Sequence, residues 1–133
     1  MKQEVNDYKQ MLLDINTNQH EMDLITNTKN LIETSSDIYK KLKSNIHGIG
    51  IFANKKIKKN SLIGIASLNN TVKTTLGRWT NHNINNNAIF LFTDNLDILM
   101  FAIKEIKINE EILINYRDHI LNPTIINIEY ERK

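Results

Sequence analysis

The sequence predicts an α+β fold, mainly β. A helical segment covers residues 1–36, short strands run through 37–121, and a tail occupies 122–133. Three observations carry this. Apolar residues recur at helical spacing only in the first quarter of the chain. From Ile38 onward, short apolar runs are bounded by Gly, Asn and Lys clusters, which is strand punctuation. Two of those runs flank a polar Thr93–Asp97 stretch as the arms of a hairpin would.

In the first segment Val5, Tyr8, Leu12 and Ile15 share one helical face, and Met22, Ile25 and Ile32, with Leu24 and Leu31, share another. Asn16-Thr17-Asn18 between them supplies cap and turn chemistry. The segment reads as two short helices or one broken helix. Six acidic residues against three lysines leave it at net −3. Thr34-Ser35-Ser36-Asp37 is a loop signal that closes it.

Strands are predicted at 38–43, 49–53, 62–66, 88–92, 98–103 and 112–115. Asn69 to Leu76 reads as a plain connection. Pro123 separates the last strand region from the tail. No internal repeat is visible.

Composition narrows the function classes. At 133 residues the chain has room for one domain with a modest core. A net charge of +2 does not argue for nucleic acid, and Lys55-Lys56-Ile57-Lys58-Lys59 reads as a solvated turn or edge strand. No apolar run reaches spanning length, and the polar, mixed-charge start does not read as a signal peptide. The absence of cysteine removes disulfides and thiolate metal sites together. With only His20, His47, His82 and His119 left, no metal site is expected. Asn, Ile and Lys make up about two-fifths of the chain, as an AT-rich genome would produce. Such drift wears motifs down.

Four segments concentrate the chemistry. Ser44-Asn45-Ile46-His47-Gly48-Ile49-Gly50-Ile51-Phe52-Ala53 places a Gly-x-Gly where backbone could approach a ligand. Arg78-Trp79-Thr80-Asn81-His82 opens a polar knot that closes at Asn87-Ala88. Ala102 to Ile112 carries Ile106, Glu110 and Glu111, and Ile112-Leu113-Ile114-Asn115-Tyr116 reads as a strand ending in tyrosine. Each has a bland explanation alone: a turn, an Asn-rich loop, an amphipathic aromatic.

Taken together, in order and spacing, they resemble the SET domain family, whose patterns run S-x-x-H-G-x-G-x-F-A, R-F-x-N-H-S-x-x-P-N-A and A-x-x-x-I-x-x-G-E-E-L-x-x-x-Y. The resemblance covers roughly residues 38–121. Asn109 replaces a usual glycine, Asn83 a serine and Asn86 a proline, Arg117 stands where glycine often follows, and Ile114 stands where many members carry Phe or Tyr. Asparagine is the mildest replacement for glycine where φ is positive. A helical insert that walls the peptide groove in many members is missing.

The resemblance implies a β-clip fold with a C-terminal pseudoknot. It also implies a protein-lysine N-methyltransferase that takes S-adenosyl-L-methionine (AdoMet) as cofactor and a lysine-containing protein or peptide as substrate. Tyr116 would be catalytic. Gly48, Ile49, Gly50, Asn81, His82 and Tyr116 would bind the cofactor. Trp79, Ile114 and Tyr116 would line the substrate channel, although Trp79 reads more readily as core. Ile114 would leave room for multiple methylation. Glu110 and Glu111 would be structural, Arg78 would brace the knot, and Ile120, Leu121 and Tyr130 would form an apolar lid. The N-terminal segment would replace the missing groove wall or form a homodimer interface. No nucleic acid or membrane partner is expected. The lack of zinc segments looks like a viral or bacterial member in the cytoplasm, with a nuclear site also compatible. The rival readings are a silent SET module holding AdoMet or a partner, a β-clip protein without the activity, and a nucleic-acid binder.

Overall fold

The computed structural model describes residues 31–69, 72–121 and 124–130. The helical reading of residues 1–30 therefore lies outside the described residues. Leu31–Ile32 form strand β1, not helix. They pair in parallel with Val72–Thr74, which is β5. Two adjacent apolar residues satisfy helical and strand periods alike, so here the partner strand decides.

β2 (Tyr39–Lys43) and β3 (Ile49–Ala53) form an antiparallel pair, with Leu42 opposite Gly50. β4 (Leu62–Leu68) packs antiparallel against β8 (Ile98–Ala102) with register shifts at Leu62/Gly64 and Ile65/Ser67. β7 (Ala88–Phe92) and β8 are the expected hairpin, in register from Ala88–Ala102 to Phe92–Ile98. The five-stranded sheet runs β1-β5-β4-β8-β7. The second sheet runs β2-β3-β9-β6, where β6 is Asn81–His82 and β9 is Glu111–Ile114.

The predicted strands recur within one or two residues at each end. The stretch read as a connection after Asn69 is different: it contains β5 and helix α1 (Thr75–Trp79). Thr74 caps α1 by accepting the Gly77 N–H. Gly77 is needed for packing, since a Cβ there would overlap the Ala66 carbonyl of β4. Tyr116 is likewise not a strand end. It begins helix α2 (Tyr116–Leu121).

Both sheets bury one face in a common core. Tyr39, Ile51, Ile63, Leu76, Met100 and Ile112 come from six different elements of it. Ile57 and Ile106 join in an isolated bridge that closes the turns beneath this core. β9 thus lies between β3 and β6 and brings the Gly-x-Gly turn and the Asn-His pair to one side of the molecule.

Candidate active site

The turn from Ser44 to Gly50 is organised by one hydroxyl. Ser44 Oγ accepts the N–H groups of Ile46 (2.9 Å) and His47 (3.2 Å). It donates to the Glu111 carboxylate, at 2.9 and 3.0 Å from the two oxygens. The Ser44 N–H closes the turn on the Gly48 carbonyl at 2.7 Å. Gly48 sits at φ +50°, and a Cβ there would meet nothing within 4 Å. Gly50 is the opposite case: a Cβ would overlap Glu111 Oε2. One glycine serves an open left-handed corner, and the other serves a tight internal contact.

Asn81 ties this turn to the neighbouring strand. Its Nδ2 faces the carbonyls of His47 (3.0 Å) and Ile49 (3.1 Å) and Glu111 Oε2 (2.9 Å). All three are acceptors, which fixes the amide orientation. The amide N–H groups are therefore spent on the 44–50 turn, and any contribution of Asn81 to ligand binding runs through the turn or through Oδ1.

His82 follows on β6 and is buried. Its Nδ1 accepts the Tyr116 N–H at 3.0 Å, so this nitrogen is unprotonated and Nε2 carries the hydrogen of the neutral ring. The two rings lie 5.3 Å apart, tilted by 38°. At the far end of the side chain, the Tyr116 hydroxyl donates to the Thr80 carbonyl at 2.8 Å. Its single proton is thus committed. The 44–50 turn is hydrogen-bonded to Asn81, Asn81 is the chain neighbour of His82, and His82 meets Tyr116 by a hydrogen bond and a ring contact.

The channel residues divide. Ile114 is 1% exposed within the core cluster, so it is enclosed rather than lining an opening, and the argument from its size for multiple methylation falls away. Trp79 is half-buried against the same cluster. Its ring centroid lies 4.1 Å from Arg78 Cζ and 5.3 Å from Lys41 Nζ. Arg78 stacks on this ring. Lys73, on the adjoining strand, is held below the ordinary lysine range, first by burial and second by the Arg78 charge. Trp79 Nε1 is buried without a hydrogen-bond partner among the described residues.

Tyr130 does not cover the site as a lid. Its hydroxyl donates to Asp97 Oδ2 at 2.6 Å in the β7–β8 turn. Leu121 is exposed, and the side chain of Ile120 lies outside the described residues. Glu110 is structural as expected: Oε1 accepts the Lys107 N–H at 3.1 Å. Asn109 adopts φ 69°, the conformation for which its replacement of glycine is mild. No cluster of metal-ligating side chains exists among the described residues.

Two residues gain roles the sequence did not disclose. Asn87 is a buried clamp on β9: Nδ2 donates to the Glu111 carbonyl and Oδ1 accepts the Leu113 N–H, both at 2.8 Å. It was camouflaged by Asn83, Asn85 and Asn86 beside it. Thr80 presents the carbonyl that holds Tyr116 and bonds its own hydroxyl to Leu76 O at 2.6 Å. A backbone acceptor leaves no mark in a sequence.

Two small sheets, a clamped strand β9 and a glycine turn hinged to an Asn-His pair define a β-clip protein with one shared site. Residues 65–117 match the family model described as SET domain. No curated protein matches. Among 155 matching chains of solved structures is a candidate histone methyltransferase from Plasmodium falciparum. It aligns with a TM-score of 0.52 and 22% identity, over 62% of this chain and 95% of that one. The chain carries a SET domain fold.

Proposed function

We propose that this protein is an AdoMet-dependent protein-lysine N-methyltransferase, with Tyr116 at the junction of cofactor and lysine. The observation that carries the reading is the continuous linkage of the 44–50 turn, Asn81, His82 and Tyr116. AdoMet fits the donor set in one specific respect: the space beside Gly48 is open, and the turn around it is held rigid by Ser44 and Asn81. When bound, AdoMet supplies an electrophilic methyl group on a sulfonium.

The protein's part is alignment. A lysine at its ordinary pKa costs about 4–5 kcal/mol to deprotonate at pH 7. An apolar approach disfavours the ammonium and lowers that cost. The chain's own part is to hold the neutral amine in line with the methyl group that bound AdoMet would supply. Tyr116 holds the amine by accepting one of its N–H groups at the phenol oxygen, whose own proton goes to the Thr80 carbonyl. It does not act as base, because a phenol near pKa 10 would itself need deprotonation. Alignment of this kind supplies most of the acceleration.

Tyr116→Phe is expected to lower kcat by about 100-fold or more while AdoMet affinity changes little, because the Tyr116 N–H still reaches His82. Radiolabelled methyl incorporation into a lysine-rich peptide, alongside calorimetric AdoMet titration, checks both halves. Unchanged turnover in this variant would remove Tyr116 from the reaction. A wild-type chain that binds AdoMet and transfers nothing would instead be a silent module.

A further inference from the structure

We infer that Glu111 is the positioning residue of the cofactor turn: its carboxylate sets the turn's height and angle against the Asn-His strand. The inference rests on the AdoMet reading above and deepens it.

Three parts of the chain converge on this one side chain. Ser44 Oγ donates to both carboxylate oxygens, at 2.9 and 3.0 Å. Asn81 Nδ2 donates to Oε2 at 2.9 Å. Gly50 presses against it so closely that no Cβ would fit. Ser44 in turn orders the Ile46 and His47 N–H groups, and Asn81 orders the His47 and Ile49 carbonyls. The carboxylate therefore bonds the two residues that hold the turn from either side. It is anchored in β9, whose backbone the Asn87 clamp fixes at the Glu111 carbonyl and the Leu113 N–H. A group that only accepts suits the place, since both neighbours present donors to it. No other described side chain touches both.

The consequence is a separation of effects. The Glu111 carboxylate bonds Ser44 and Asn81, whereas Tyr116 is anchored at His82 and Thr80. Losing the carboxylate should loosen the turn, and hence AdoMet binding, without misaligning the tyrosine. Glu111→Ala is expected to raise the AdoMet Kd and KM by about tenfold or more, with kcat at saturating AdoMet within roughly threefold. Glu111→Gln should recover most of the affinity, because a carbonyl in the place of Oε2 can still accept from both Asn81 and Ser44.

The experiment is a double-mutant cycle read by calorimetric AdoMet titration and by kinetics with a lysine-rich peptide. Gly50→Ala in the wild-type background should displace the carboxylate and reproduce the Kd rise. In the Glu111→Ala background the same alanine should add little. Should Glu111→Ala not fold, the pair Gly50→Ala and Glu111→Gln decides alone, through a raised Kd in the first and a near-native Kd in the second. Additive losses, or a fall in kcat with Kd unchanged, would overturn the inference. If wild-type protein binds AdoMet and Glu111→Ala binds it equally well, only this inference fails. If wild-type protein does not bind AdoMet, the functional reading fails with it.

Discussion

Lys73 shows how far a single side chain can stand against its surroundings. Its side chain is half-buried on β5 near the Arg78 charge, and its ammonium has no carboxylate partner among the described residues. Folding therefore favours the neutral form, so the unfolded chain binds more protons below the ordinary lysine value near 10.5. Stability should rise as pH climbs toward that value. Lys73→Met keeps the apolar stem and removes the charge. It is expected to raise Tm at pH 7, with an advantage that shrinks by pH 10. A lower Tm at pH 7 would show that the ammonium is stabilising where it sits. Elsewhere the backbone is eased by residue choice, with Asn60, Asn69 and Asn109 at positive φ. Leu96 at φ 67° is the exception, in an exposed turn.

At the scale of elements, the edges of both sheets are managed differently. β2 exposes Lys41 and Lys43, charges that discourage pairing with another chain. The edge of β7 is covered by the tail: the Phe92 N–H donates to the Thr124 carbonyl at 2.8 Å, and the Ile126 N–H donates to Phe92 O at 2.7 Å. Tyr130 then fastens the tail to Asp97, a carboxylate with 0% exposure that also accepts the Asn69 N–H at 2.8 Å. Removing one donor from a buried carboxylate costs about 1–3 kcal/mol. Tyr130→Phe is expected to lower unfolding stability in urea by that amount and to speed proteolysis of the tail, leaving AdoMet binding unchanged. An unaltered midpoint and cleavage rate would mean the latch carries no load.

For the molecule as a whole, ligand binding and stability are coupled. The candidate site draws on β3, β6 and the consecutive pair β9 and α2, which are separated in sequence and joined only by the fold. A ligand there binds only the folded chain, so AdoMet at 100 times its Kd should add about 2.7 kcal/mol of stability. A Tm that rises with AdoMet concentration, and not with ATP, is the expected result of a thermal-shift titration. A flat response would leave the fold without its proposed cofactor.

Much of this was legible beforehand. Runs such as Ala88–Phe92 and Ile98–Ala102 are long and apolar enough to declare themselves strands, and the four motifs kept their order despite the drift toward Asn, Ile and Lys. Local pattern could not reveal β1, β5 and α1, which have two, three and five residues and exist only because neighbours complete their hydrogen bonds. Tyr116 was singled out by its place in a motif, yet its helix and its two anchors, a ring nitrogen from β6 and a backbone carbonyl, come from 34 and 36 residues away. Ile114 is enclosed in the core, and an apolar residue near a site looks the same in sequence whether it lines an opening or backs it from the core. Chemical inventory and element periods are local and can be read from the chain. Which donor meets which acceptor depends on long-range packing, and that emerged only once β9 lay between β3 and β6.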